Sequence, residues 1–441
     1  MPSWDRSTPQ QQAKIRDAAL RRQLRDGVGP FSPFWRERFS ALRVPASSIE
    51  HAADLTKLPA VGERDVCPTG DPKDAARLVL QADEAGFAAH AFGPDLRKAL
   101  AQRFSGKDSY RRHVEAEVRP TTFHLAGRAM TFPIASTRND LDVVARAGNR
   151  AWQVLGLTSA DVLVSAVPPG PTLEHTFLTY AALGAGAPAV FALDALGLVP
   201  ATVLAIRPQD LDLLDGIELP ATVLLVGAYD GDARARAEGT GKRVVALWAP
   251  PEHRVMWAEC APGNGWHTYP DIDLVEVVDP ETGKPADTGE IVLTQLGLRG
   301  SALLRWRTGD LIDEPISTNA CPGCGRTVPR IPTAVTTSAM HVDVSLRHGD
   351  EHLDLRAVAA ALEGRADVTD WMVEVVPSPR EHDADLLVLV ATSGDETDAA
   401  VGVWRDVRAV AGLAPSQVVV LTAEELAARR ESDARRVVVR R

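Results

Sequence analysis

Residues Arg299–Arg330 read RGSALLRWRTGDLIDEPISTNACPGCGRTVPR, and the rest of the chain is organised around this stretch. It joins an apolar run to an Arg-Trp-Arg-Thr-Gly-Asp turn and a Cys-Pro-Gly-Cys-Gly knuckle. Cys321 and Cys324, two of the four cysteines, sit on that knuckle, with Gly323 and Gly325 on either side of the second. Such a turn places two thiolates on one tight bend. Cys260 and His267 lie upstream in ECAPGNGWHTYP. Three cysteines and one histidine have the donor number and softness that suit a closed, structural, tetrahedral zinc site. The alternative is a reduced surface turn without metal. Cys67 stands apart and reads as a small core residue.

Upstream of the turn, DIDLVEVVDPETGKPADTGEIVLTQL alternates apolar and polar residues on both sides of a DPETGKP turn, which predicts a β-hairpin. Further back the texture changes. DVLVSAVPPG, PAVFAL, LPATVLLVGAY and RVVALWAPPEH are apolar strands ending in loops, interleaved with the small-residue helix HTFLTYAALGAG. This pattern predicts an α/β core with mostly parallel pairing and ligand binding at the carboxyl edge of the sheet. TRNDLDVVARAGNRAWQVLGL predicts a helix capped by Thr137 or Asn139, with Gly148 on its apolar face permitting close packing. TTFHLAG and MTFPIAS read as strands, residues 8–27 as a polar helix, and Phe34, Trp35 and Phe39 as one face of a short helix. Residues 70–118 read as a helical elaboration. Downstream of the knuckle, PRIPTAVTTSA is a hinge. It leads to an α+β unit with strands HVDVSLR, DWMVEVVP, DLLVLVAT and SQVVVLT and helices DLRAVAAALEG and TDAAVGVWRDVRAVAG. The expected architecture is α/β: a large multi-layer N-terminal domain over residues 1–333, whose β-rich, zinc-containing part spans 260–330. A small α+β domain follows over 334–441.

A chain of 441 residues exceeds one ordinary core, in keeping with two domains. Asp plus Glu outnumber Lys plus Arg by 59 to 48, and no basic stripe compensates, which excludes a nucleic-acid binder. No apolar run reaches about 18 residues without a charge or a Pro/Gly break, so no membrane span is expected. The polar start MPSWDRSTPQQQ lacks the apolar core of a signal peptide, and few cysteines suit a reducing compartment. The expected location is cytoplasmic.

With these residues in place the chain resembles the adenylate-forming superfamily, in particular its phenylacetate–coenzyme A ligase-like branch. SPFWRERF and LTKLPAVGERDV look like that branch's N-terminal signature, and TRNDLD like the segment after its phosphate loop. GEIVLTQL with LLRWRTGDL looks like its nucleotide-binding core, and CPGCGRTVPRI like its zinc knuckle. The resemblance implies a small mobile C-terminal domain and a two-step reaction. ATP adenylates a carboxylate, and a thiol such as coenzyme A or a carrier protein then displaces AMP. It assigns Asp310 to the ribose hydroxyls, with Arg307 beside it in the same turn. Trp248 would flank the adenine or acyl pocket, Glu252 would help hold Mg²⁺, and Gly227 would lie beside adenine. The implied partners are a small carboxylic acid or an activated acyl group; a dimer is compatible with the residues.

Three elements depart from the family pattern. The stretch matching the phosphate loop, His124-Leu-Ala-Gly-Arg-Ala-Met-Thr131, has one Gly and no Lys, and its one cation is Arg128. Such loops work through backbone N–H groups and hydroxyls that cradle phosphate oxygens. The hinge signature is replaced by AVTTSAMHVD, and Arg435 and Arg436 stand near the position of the family's adenylation Lys. Three functions therefore stay open: acyl-adenylate formation from an aryl or amino-substituted acid, a binding or partner module, and transfer of a pre-activated acyl group. For the last, His175 in PPGPTLEHTF is the candidate general base, with a purely structural histidine as the alternative. His124 and His253 also fall in loops expected to converge.

Overall fold

The computed structural model describes residues 4–68, 71–81, 104, 118–127, 131–227, 231–280, 282–337, 341–346, 349–354, 358, 361–377, 384–411, 414–431 and 437–439. The chain divides into two compact units, one formed by residues 1–127 and 131–336, the other containing residues 337–441. Among the described residues no helix is long and apolar enough to cross a membrane.

The first unit opens with α1 (Pro9–Gln23), whose start is a reciprocal cap. The Thr8 hydroxyl accepts from the Gln11 N–H, and the Gln11 side chain accepts from the Thr8 N–H. A single π-helical turn over Leu24–Val28 follows. In α2 (Pro33–Leu42) Phe34, Trp35 and Phe39 are buried, and the Trp35 indole donates to the Ala302 carbonyl at 2.7 Å. The helical reading of residues 70–118 falls largely outside the described residues; Pro72–Leu78 is 3-10 helix.

β1 (Pro120–Ala126) and β2 (Phe132–Thr137) form an antiparallel pair, and α3 (Arg138–Val154) begins at once, capped by Thr137. The other sequence candidate for the cap, Asn139, lies inside the helix. β3 (Leu163–Ser165) leads to α4 (Leu173–Ala185), β4 (Ala189–Val190), β5 (Val203–Ile206), β6 (Thr222–Val226), α5 (Gly231–Gly239) and β7 (Arg243–Trp248). Strands β4-β3-β5-β6-β7 are parallel. β8 (Trp257–Glu259) and β9 (Trp266–His267) extend the sheet antiparallel. β3, β5 and β6 are buried throughout, as a sheet covered on both faces requires. β5 is an apolar run of four residues, too short for periodicity to separate strand from helix, and the sequence reading does not isolate it.

α3 and α4 cross where glycine replaces a side chain. A Cβ on Gly148 would lie 2.3 Å from the Cα of Ala181, and one on Gly184 would lie 2.1 Å from the Ala145 carbonyl oxygen. The expectation for Gly148 holds. Gly148→Ala is expected to force the helices apart and cost about 1–3 kcal/mol, read as a lower urea midpoint. An unchanged midpoint would show that the crossing absorbs a methyl group.

β10 (Asp273–Val278), β11 (Gly289–Gln295) and β12 (Trp306–Ile312) form the antiparallel β-rich sheet, with the DPETGKP turn joining the first two. β13 (Arg330–Ile331) pairs with β9, and β14 (Thr336–Thr337) closes the β10-β11-β12-β14 sheet. The second unit holds the hairpin β15 (His341–Leu346) and β16 (Gly349–Asp354), then β17 (Val368–Pro377), β18 (Ala384–Thr392), α6 (Glu396–Ala411), β19 (Gln417–Val420), α7 (Ala423–Glu431) and β20 (Val437–Val439). Its sheet runs β19-β18-β17-β20, and Trp371, Val373, Val388 and Val390 pack with Val403 and Val407 of α6. All four expected strands and the TDAAVGVWRDVRAVAG helix are present; DLRAVAAALEG lies partly outside the described residues.

Candidate functional site

Cys260 follows β8, His267 ends β9, and the knuckle carries Cys321 and Cys324. The knuckle closes because Gly325 adopts φ 69°, letting its N–H reach the Cys321 carbonyl at 2.8 Å while the Cys321 N–H reaches the Arg326 carbonyl at 2.8 Å. The four ligand atoms lie within 4.8 Å of one another, with Cys260 Sγ 3.6 Å from Cys321 Sγ and Cys324 Sγ 3.2 Å from His267 Nε2. Bonds of about 2.0–2.3 Å in a tetrahedron give ligand separations of roughly 3.3–3.8 Å, which the Cys260–Cys321 pair meets, and a set up to 4.8 Å across would contract onto one metal ion. His267 Nδ1 lies 3.2 Å from the Ala258 carbonyl oxygen, so it carries the proton and leaves the Nε2 lone pair toward the sulfurs. Burial pulls this imidazole down to about 4, keeping it neutral, and pushes the Cys260 thiol up to about 12. Cys324 goes the other way: burial alone would raise it, but hydrogen bonds from Arg326 bring it below its ordinary value. The Cys260 thiol, which resists ionisation alone, beside a neutral imidazole and the readily ionised Cys324, is what a dication would stabilise.

The RTGD turn is a bulge. Glu290 pairs with Leu311 and Val292 with Arg307, so Thr308, Gly309 and Asp310 together stand opposite Ile291 alone. Gly309 takes φ 72°. Glu290 pins the bulge from below, accepting from the Gly309 N–H at 3.1 Å and from the Arg307 guanidinium at 2.6 and 2.8 Å. The Thr308 hydroxyl donates to the Ile291 carbonyl at 2.8 Å and accepts from the Asp310 N–H at 3.1 Å. Asp310 is thereby fixed in a buried position. Arg307 is half-exposed and already held by Glu290 and the Pro280 carbonyl, so its guanidinium braces the turn from outside.

At the carboxyl edge of the parallel strands the loop tips converge in part. Gly227 ends β6 at φ 114°, and a Cβ there would meet Glu174 of α4 at 3.7 Å. The Leu125 N–H donates to the Pro171 carbonyl at 2.6 Å, tying β1 to the loop after β3. His124 Nε2 meets the Pro251 carbonyl at 3.1 Å, next to buried Glu252. Burial takes His124 down to about 4, so it is a neutral donor and not a phosphate-binding cation. His253 faces Asp273 at 3.3 Å and is also held below its ordinary value by burial. His175 sits on the first turn of α4 with its ring edge-on to Phe191 at 5.0 Å, and its Nδ1 is buried without a hydrogen-bond partner among the described residues. Trp248 departs from the expected pocket wall. Paired across the strands with Trp257, it is 3% exposed and packs with tilted rings against Trp257 at 5.4 Å and Trp266 at 5.9 Å. Arg128, Arg435 and Arg436 lie outside the described residues.

One buried ion pair, absent from the sequence reading, ties these parts together. Asp140 accepts from the Thr137, Arg299 and Gly300 N–H groups at 3.0, 2.6 and 2.7 Å and from the Arg254 guanidinium at 2.9 Å. Arg254 also binds Ser301 and Ala135 carbonyls and the Gln295 side chain, and Gln295 donates to the Glu252 carbonyl at 2.9 Å. The loop carrying Glu252 and the start of the Arg299–Arg330 stretch therefore share one anchor. In the sequence Asp140 shows only as a first-turn acid of a helix, and nothing marks Arg254.

No family model and no curated protein matches the chain. Solved structures do. 2-Hydroxyisobutyryl-CoA ligase in the postadenylation state with R3-HIB-AMP aligns at a TM-score of 0.63 and 17% identity, over 99% of this chain and 91% of that one. The same enzyme with 2-HIB-AMP and CoA in its thioesterification state aligns at 0.60 and 18%, over 100% and 92%. Its open conformation with the same ligands gives 0.60 and 17%, over 99% and 93%. At this identity the likeness carries architecture, and it spans essentially the whole chain: this protein has the fold of the adenylate-forming acyl-CoA ligases.

Proposed function

We propose that the chain is a divergent carboxylate-activating protein of the phenylacetate–coenzyme A ligase type, acting on an aryl or amino-substituted acid and passing the acyl group to coenzyme A or a carrier protein. The observation that carries this reading is the Thr308–Asp310 bulge, a carboxylate fixed in place within a fold whose solved relatives bind an acyl adenylate and CoA. Asp310 would hold the ribose hydroxyls, a task for which a rigid carboxylate with two acceptor oxygens is suited. Glu252, buried on its pinned loop, would help hold Mg²⁺, which supplies charge neutralisation at the phosphates. Cys260, His267, Cys321 and Cys324 would hold a structural zinc, a use of cysteine that suits a reducing, cytoplasmic setting.

A second reading rests on the phosphate-facing stretch. The Leu125 N–H is spent on Pro171, and buried His124 is held toward its neutral form, so two groups of the kind that grip phosphate are already committed. This favours an acceptor of a pre-activated acyl group, with His175 as the base. Pyrophosphate exchange with a panel of aryl acids separates the two. Robust exchange, reduced roughly 100-fold in Asp310→Ala through lost positioning, supports activation. No exchange, with no ATP binding by calorimetry, transfers the assignment to the second reading.

A further inference from the structure

A cavity of about 270 Å³ lies between α1, the π-helical turn after it, one flank of α3 and the Leu296–Arg299 connection. Its walls are mixed, with an apolar part formed by Phe31, Val143, Ile272 and Leu298, each at most 5% exposed, and a polar part that carries the charged residues. Its charges do not balance. Asp26 and Asp271 line it, but Arg25 takes up Asp26 at 2.5 and 2.9 Å and Arg150 takes up Asp271 at 2.6 and 2.8 Å, and neither arginine lines the cavity. Arg22 and Arg146, which do line it, are exposed and form no ion pair among the described residues. Among the described residues the lining therefore carries unpaired positive charge beside the apolar part of the pocket.

A third group points the same way. Gln23 is 7% exposed, its side-chain oxygen accepts from the Gly297 N–H at 3.0 Å, and its Nε2 is buried with no partner among the described residues. A buried amide donor left so is destabilising, and an acceptor oxygen would satisfy it. The turn that follows Gln23 is itself irregular, its Gly29 N–H reaching back to the Leu24 carbonyl, and such π-turns occur frequently at functional sites. Neither Asp310, Glu252, His175 nor Gly227 lines this cavity.

We propose that the cavity is a second binding site, for a small amphipathic carboxylate whose apolar body fills the pocket while Arg22, Arg146 and the Gln23 amide meet its anionic end. The volume suits a short chain or a single ring. Arg299 lines the cavity and its N–H is held by Asp140, so occupancy would reach the anchor of the Glu252 loop.

The test is calorimetry on the full chain with sodium octanoate and, at equal ionic strength, sodium phosphate. Octanoate is expected to bind one per chain at least tenfold more tightly than phosphate. The variant Arg22→Glu/Arg146→Glu should weaken octanoate at least tenfold with an unchanged urea midpoint, since both side chains are exposed. Absence of octanoate binding would overturn the proposal, as would equal affinity for phosphate, which would make the apolar walls irrelevant. Undiminished binding by the charge-reversed variant would place octanoate elsewhere and equally overturn it.

Discussion

Asp140→Ala is expected to lower the stability of the first unit by roughly 3–5 kcal/mol, because it strands the Arg254 guanidinium in the interior. Both side chains are essentially inaccessible, at 1% and 0% exposure, so water cannot replace the lost carboxylate. Three N–H donors lose their acceptor as well. Asp140→Asn keeps one acceptor oxygen and should cost less. The double variant Asp140→Leu/Arg254→Met should cost well below the sum of its singles, since it leaves no buried charge unpaired. Urea denaturation of the wild type, Asp140→Leu, Arg254→Met and the double reads the cycle; additive singles would show that the pair does not act as a unit. The same anchor has a functional consequence. Gln295 and Arg254 both orient the Glu252 loop, so Asp140→Asn should impair any activity that depends on Glu252 even where the fold survives. Gly300 belongs to this knot too. A Cβ there would lie 2.0 Å from the Ala135 carbonyl oxygen, which is why the position after Arg299 needs a residue that lacks one.

Removal of metal is expected to have the second large effect. Cys260 and Cys321 are 61 positions apart, and closing a loop of that length by a crosslink is worth about 4 kcal/mol in chain entropy. A chelator able to extract the ion should therefore lower the thermal midpoint by several degrees, and Cys321→Ser should do the same without chelator. Elemental analysis should find one zinc per chain. A zinc content far below that, or a midpoint indifferent to both treatments, would leave the four residues as a reduced cluster. The loss should be local in origin, because the ligands join the β8–β9 hairpin to the knuckle and, through β13, to the end of the first unit.

The sequence by itself determined the α/β class, Thr137 as one of two candidate starts of α3, the DPETGKP hairpin, the grouping of Cys260, His267, Cys321 and Cys324, and the close packing at Gly148. Each rests on short-range chemistry: a cap within three residues, an alternation of period two, a knuckle spacing, a missing Cβ. Only the tertiary structure decided which side chains the sheet would bury and which pairs would meet. Trp248 reads as a pocket aromatic until strand pairing sets it against Trp257 and Trp266. Arg307 reads as a ligand contact until the bulge hands it to Glu290. Asp140 and Arg254 are 114 positions apart, and no local pattern announces a contact of that range. Periodicity and capping are properties of a segment, whereas burial and ion pairing belong to the neighbours that folding brings, which is why the architecture was legible before the site was.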